Sequence, residues 1–199
     1  KSIYLWPRTT RYLKSIAKRL VHYTPDAQFY ANRSRHFFGS MRSYDFLITT
    51  KSFEKREYEQ RVGKEKLILT TQGFDSNVHR PMNSFEEKKD RVAFIGLCEP
   101  HREAVMQYLL DNQVPVIIGG MGWNAFREAN RSSNFLEFAG EDVRNDEYSR
   151  VISGSSFSIG LLSRHFPELH TTRTFEIPAC GTALLTERNN ETTSFFSDN

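Results

Sequence analysis

Val92-Ala93-Phe94-Ile95-Gly96-Leu97 is a short apolar run with a glycine near its end, and a second run, Val114-Pro115-Val116-Ile117-Ile118-Gly119-Gly120, begins 22 residues after the first. Similar runs follow at 135–140, 156–162 and 182–187, with starts 21, 21 and 26 residues apart. Upstream, runs at 20–23, 44–50 and 66–73 begin 24 and 22 residues apart. One strand plus one crossover helix fills each period. The runs are rich in Val, Ile, Leu and Phe and do not alternate with polar residues, as expected of parallel strands covered on both faces. The fold class expected is α/β, with two parallel sheets.

The segments between the runs fit helices. Residues 101–113 place Ala104, Val105, Tyr108 and Leu109 on one stripe, and residues 142–153 do the same with Val143, Val151 and Ile152. Residues 52–61 are almost wholly charged and are expected to form an exposed crossover helix. Residues 74–89, with Pro81, Asn77, Asn83, Ser76 and Ser84, show no period and mark the domain boundary. Ligands of open parallel sheets sit outside the carboxyl ends of the strands. Gly96, Gly119, Gly120, Gly140 and Gly160 fall at those ends; they make tight turns or let a ligand approach the backbone.

Composition narrows the function. The chain has 199 residues, 38% hydrophobic and 26% charged, which suits one large or two small globular domains and excludes a disordered or fibrous chain. No run approaches the ~18 apolar residues of a spanning helix and the first residues lack a signal-like apolar stretch, so a cytoplasmic protein is expected. Cys98 and Cys180 are too few for a disulfide framework or a structural zinc site. The chain is expected to be cut at both ends, since it starts at Lys1 and stops in polar residues after Phe195-Phe196.

The net charge is +3, but residues 1–45 alone carry +7, interleaved with Tyr4, Trp6, Tyr12, Tyr23 and Phe29. Such a segment could follow a nucleic-acid backbone. However, Arg11, Lys14, Lys18 and Arg19 recur at helical spacing opposite Leu13, Ile16, Ala17 and Leu20, which describes the solvated face of an amphipathic helix. A nucleic-acid partner is not expected.

Several chemistries lack their motifs. No G-x-G-x-x-G, G-x-x-x-x-G-K-[ST] or G-x-S-x-G follows a candidate strand, and none of the six histidines stands at metal-ligand spacing from Cys or Glu. What remains is the polar segment 165–181, running through a short helix that Gly181 is expected to cap. It holds Glu168 and Glu176 eight residues apart, with Thr172 and Arg173 between them. A guanidinium here can hold a phosphate bidentately, and a carboxylate one turn on can accept from ribose hydroxyls. The same pattern also describes an Arg–Glu pair closing a helix end.

The stretch Arg173-Thr-Phe-Glu-Ile-Pro-Ala-Cys-Gly-Thr-Ala-Leu-Leu-Thr-Glu187 resembles the signature of CgeB-like glycosyltransferases, a family named for a spore maturation protein and built on the GT-B fold. Tyr23-Thr-Pro-Asp26, Tyr44-Asp-Phe-Leu-Ile-Thr-Thr-Lys51 and Gln72-Gly-Phe-Asp75 resemble the later part of that family's first domain, and Asp90-Arg-Val-Ala-Phe-Ile-Gly96 the opening strand of its second. The resemblance implies residues 1–80 as the later part of an acceptor-side Rossmann-like domain and 81–199 as a nucleotide-sugar-binding one. It implies a nucleoside-diphosphate sugar as donor substrate, bound in the cleft between domains, with no cofactor and no metal; the absence of a D-x-D motif agrees. The acceptor, a glycan, protein or small molecule, is not specified. Gly96, Arg102, Thr172, Arg173 and Glu176 are the implied donor-binding residues, with Arg102 directed to the diphosphate. Glu168 and Glu176 have the spacing of the Glu pair in retaining GT-B enzymes, which puts Glu168 near the sugar; Asp26, at a strand end, is the acceptor-side candidate. The competing expectation is a non-catalytic α/β module that binds a nucleotide or phosphorylated metabolite.

Overall fold

A computed structural model describes residues 4–197; Lys1–Ile3 and Asp198–Asn199, on which the readings of the chain ends partly rest, lie outside the described residues. The chain divides into two compact units, one through Gln72 together with His165–Glu168, the other Gly73–Arg164 together with Leu169 onward.

The first unit contains three parallel strands in the order β1 (Val21–Thr24), β2 (Phe46–Thr49), β3 (Leu67–Leu69). Helices α1 (Pro7–Ile16), α2 (Arg35–Ser40) and α3 (Lys55–Val62) belong to it. Phe37, Met41, Tyr44, Leu47, Tyr58 and Val62 form its core, and the buried imidazole of His22 packs 4.7 Å from the Phe37 ring. Burial holds His22 at about 4, below its ordinary value, because a charged ring would lose its hydration there.

Two expectations are corrected in this unit. The basic helix stops at Ile16, so Lys18 and Arg19 lie beyond it: Asp45 pairs with Lys14 and accepts the Leu20 N–H at 2.7 Å, which turns the chain into β1. The charged segment 52–61 is not simply exposed. It forms a 3-10 turn (Ser52–Glu54) and then α3, and Glu54, Tyr58 and Val62, four residues apart, make an inward stripe. Glu54 is 0% exposed and accepts the backbone N–H groups of Gln28 (3.0 Å) and Phe29 (2.7 Å). Burial raises its pKa to about 7 despite those two donors.

The second unit has five parallel strands in the order β6-β5-β4-β7-β8: β4 (Lys89–Ile95), β5 (Val116–Gly119), β6 (Leu136–Gly140), β7 (Ser155–Gly160) and β8 (Ala183–Thr186). The helices are α4 (Pro100–Asp111), α5 (Asn124–Ala129), α6 (Asn145–Ser153), α7 (Arg173–Ala179) and α8 (Thr192–Phe195). The non-alternating apolar runs have a direct cause. Val92, Phe94, Val116 and Ile118 pack with Met106, Leu110 and Phe126 of α4 and α5. The intervening Ala93, Ile95 and Ile117 pack with Tyr148, Ile152 and Ile177 of α6 and α7. Both faces of the sheet are covered at its centre, so consecutive positions 92–95 of β4 and 116–118 of β5 are apolar. Each large side chain buried this way contributes roughly 1.5–3 kcal/mol.

From β4 the chain first builds outward through β5 and β6, then returns to place β7 on the other side of β4. This reversal between β4 and β7 makes a switch point, where neighbouring loops diverge at the carboxyl edge and leave a crevice.

Candidate functional site

The crevice is present. A cleft of about 470 Å³ opens at the carboxyl edge of β4, β5 and β6, and its lining includes Gly96, Gly120, Glu141, Tyr148, Arg173 and Glu176, all of the second unit. Its floor is tied by backbone bonds: Gly96 N–H donates to Gly119 O (2.8 Å) and Gly120 N–H to Gly140 O (2.8 Å). Trp123 Nε1–H donates to Gly96 O (2.9 Å). Gly120 takes φ +116°, and a Cβ there would lie 2.3 Å from the Gly96 carbonyl oxygen, so only glycine fits this close crossing of two strand ends.

Arg173 enters from the first turn of α7. Its Nη1 stands 3.5 Å from Ile95 O at the end of β4, and its Nη2 3.4 Å from Leu161 O just past β7, so the guanidinium bridges the two sides of the switch point. Both separations are at the long limit of hydrogen bonding. Nε is buried and has no hydrogen-bond partner among the described residues. The guanidinium also lies 5.8 Å from the centre of the Phe94 ring. It is a cation held in place by weak contacts, with donor capacity to spare.

Glu176 lies one turn further along α7, its N–H bonded to Thr172 O at 2.9 Å. Its side chain is 16% exposed and its Oε1 is 3.6 Å from His79 Nε2. The Tyr148 phenol is held above its ordinary pKa, first by burial and then by the charge of Glu176. On the opposite wall, Arg144 pairs with Asp142, and Glu141 accepts from Asn124 at 2.9 Å. Among the described residues, Arg173 is therefore the cation of the cleft lining that no carboxylate engages in an ion pair. The helix carrying these groups is anchored at both ends. His170, before it, is buried between Phe175 and Phe195 and bonds Glu191 at 2.5 Å; after it, Gly181 takes φ +72° and caps the helix as expected.

The other sequence candidates fall elsewhere. Thr172 is the N-cap of α7 and is not in the cleft lining. Arg102 is 4% exposed, paired with Glu99 at 2.8 Å and donating to Leu97 O at 3.1 Å, and does not line the cleft. Glu168 belongs to the first unit, where it pairs with Lys51 at 2.5 Å in a buried ion pair. Asp26 lines a cavity of about 710 Å³ in that unit, beside the end of β1. The structure thus brings Gly96, Arg173 and Glu176 together. The cleft residues that sequence reasoning passed over are Glu141, Asp142 and Arg144, just past the strand end at Gly140, and Tyr148; the rule that ligands sit at strand ends could have found the first three. Among the described residues no three His, Cys, Asp or Glu side chains gather into a metal-binding group.

Two parallel-sheet units, one with a cleft at its switch point, define the GT-B architecture of glycosyltransferases. Residues 101–199, which carry α4 to α8 and most of the cleft, match the family model described as glycosyl transferase-like. The fold is similar to that of AviGT4, a glycosyltransferase involved in avilamycin A biosynthesis (TM-score 0.57, 15% identity, 90% of this chain and 58% of that one). It is also similar to an α-glucosyltransferase solved with UDP and a mismatched 13-mer DNA (0.60, 15%, 90% and 55%). A third similar structure is the apo lipopolysaccharide outer core galactosyltransferase WaaB (0.56, 11%, 93% and 60%). The chain thus spans between 55% and 60% of the length of these structures. No curated protein matches it. No helix among the described residues is long and apolar enough to cross a membrane.

Proposed function

We propose that the protein is a CgeB-like glycosyltransferase that moves a sugar from a nucleoside-diphosphate sugar to an acceptor, without a metal and with retention at the anomeric carbon. The observation that carries this reading is the Arg173 guanidinium, set astride the β4/β7 switch point with Nε unpartnered and two long contacts to carbonyl oxygens. Cleaving the bond between the anomeric carbon and phosphate leaves negative charge on the diphosphate. A fixed guanidinium in a half-enclosed cleft stabilises that charge as it develops. Glu176, one turn away, accepts from the ribose hydroxyls, and the side-chain-free floor at Gly96 and Gly120 lets the nucleotide approach the backbone.

Glu168 is the proposed sugar-side carboxylate and Asp26 the proposed acceptor-side one; the Lys51 ammonium beside Glu168 orients that carboxylate. UDP is the first nucleotide to test, because the similar α-glucosyltransferase was solved with it. The experiment is release of nucleoside diphosphate from UDP-sugars by the full chain against a panel of glycans, proteins and small alcohols. Acceptor-dependent release is the expected result, with NMR of the product reporting the anomeric configuration. Binding without release against every acceptor would instead support the non-catalytic module.

A further inference from the structure

Residues 74–89 look like a linker by composition, yet one of their side chains ends at the cleft. The geometry points to His79 as the positioning residue of Glu176: it holds one carboxylate oxygen so that the other is presented to the ribose hydroxyls of a bound nucleotide. This rests on the donor-binding role proposed for Glu176.

The hydrogen bonds fix the polarity of the ring. Asp75 N–H donates to His79 Nδ1 at 3.1 Å, so a neutral ring carries its proton on Nε2. Nε2 is the atom that faces Glu176 Oε1, at 3.6 Å, with both side chains 16% exposed. That separation exceeds a direct hydrogen bond; in unliganded sites such contacts are commonly long and tighten once the ligand engages the carboxylate. The ring cannot drift far. It packs edge-on against Tyr148, 5.5 Å between centres at 88°. Its turn is closed by His79 N–H to Asp75 O (2.7 Å) and Asn77 N–H to Asp75 Oδ1 (2.9 Å).

The whole segment is strapped to α6. Ser149 Oγ–H donates to Val78 O at 2.7 Å, Arg80 pairs with Asp146 at 3.1 Å, and Ser153 Oγ accepts from Met82 N–H (2.8 Å) and Asn83 N–H (3.0 Å). Four attachments over six residues, to a helix that also lines the cleft through Tyr148, are more than a passive connection needs. They set the imidazole at a defined distance from the carboxylate. A carboxylate gripped at one oxygen gives up less rotational freedom when a hydroxyl binds the other.

The test is a double-mutant cycle read as ribose discrimination. The tightest binder among UDP, GDP, ADP and CDP is titrated by calorimetry together with its 2′,3′-dideoxy counterpart, and the ratio of the two dissociation constants is the readout. His79→Phe is expected to lower that ratio about five- to tenfold, the worth of roughly one hydrogen bond. His79→Gln, which keeps an N–H near the Nε2 position, restores much of it, and in a Glu176→Gln background His79→Phe has no further effect. Should the phenylalanine variant fold poorly, His79→Asn, too short to reach Glu176, serves in its place. An unchanged ratio in the histidine variants, with a ratio that collapses in Glu176→Gln, overturns the positioning role and leaves the reading of Glu176 standing. Equal weakening of both nucleotides by His79→Phe would make the histidine merely structural. If Glu176→Gln itself leaves the ratio unchanged, or no nucleoside diphosphate binds, the proposed role of Glu176 fails first and this inference with it.

Discussion

Replacing Arg173 by alanine separates a ligand-binding cation from a structural one. Its contacts within the protein are weak: two carbonyl oxygens at 3.4 and 3.5 Å and a ring 5.8 Å away. Their loss costs about 0.5–1 kcal/mol, most of it from the cation–π contact, which lowers Tm by roughly 1–4 °C in a chain of this size. The effect on a diphosphate is larger. Without Arg173 the cleft lining keeps Glu141, Asp142 and Glu176 against only Arg144, which Asp142 already engages. Losing a charge-assisted bond costs about 1.5–3 kcal/mol, or roughly 10- to 150-fold in dissociation constant. Calorimetric titration of a nucleoside diphosphate and of the parent nucleoside, into wild type and variant, should show that loss for the first and less than about twofold for the second. Arg173→Lys, a point charge without the planar fork, should fall between. Equal losses for both ligands, or a melting temperature lowered by ten degrees or more, would refute the reasoning and make Arg173 a packing residue.

Three further predictions concern folding. Gly120→Ala sets a Cβ 2.3 Å from the Gly96 carbonyl at φ +116°, so it should destabilise by about 1–3 kcal/mol and weaken nucleotide binding, measured by urea unfolding and calorimetry. Ile118→Ala, at a fully buried position in the second sheet, should cost about 2–5 kcal/mol in the same unfolding experiment. The first unit should show opposed pH dependences. Glu54, raised by burial to about 7, keeps its proton in the folded state between pH 4.5 and 7 while the unfolded chain releases it, so its contribution is lost as pH rises. His22, lowered by burial to about 4, takes up no proton in the folded state between pH 6.5 and 4 while the unfolded chain does, so its contribution is lost as pH falls. Glu54→Gln should therefore leave a stability that climbs with pH over 4.5–6.5, by at most about 1.4 kcal/mol per unit, and a flat profile in that variant would contradict the assignment.

The strand positions were legible because the central strands β4 and β5 are covered on both faces, which turns sequence into uninterrupted apolar runs, and each of the eight runs overlaps a strand. Gly181 and the helix before it were legible for a local reason, since a left-handed cap needs glycine. Side-chain direction was not. A charged residue one turn into a helix can face solvent, a ligand or a neighbour, and Arg102 faces Glu99. Glu54-Tyr58-Val62 hid in a charged segment because one buried carboxylate and two apolar residues do not raise its mean hydropathy. His79 was invisible for another reason: its importance lies in a tertiary contact with Glu176, 97 positions away, and the turn residues around it read as a linker. Glu168 and Glu176, eight apart in sequence, belong to different compact units, which spacing alone does not reveal.

The central claim is that a nucleoside diphosphate lies in the cleft at the ends of β4, β5 and β6, against Arg173 and Glu176. The direct measurement is a crystal structure of the full chain with UDP. The account predicts the diphosphate within hydrogen-bonding distance of the Arg173 guanidinium and the ribose hydroxyls on Glu176. A nucleotide bound elsewhere, with Arg173 still resting on the Ile95 and Leu161 carbonyls, would contradict it.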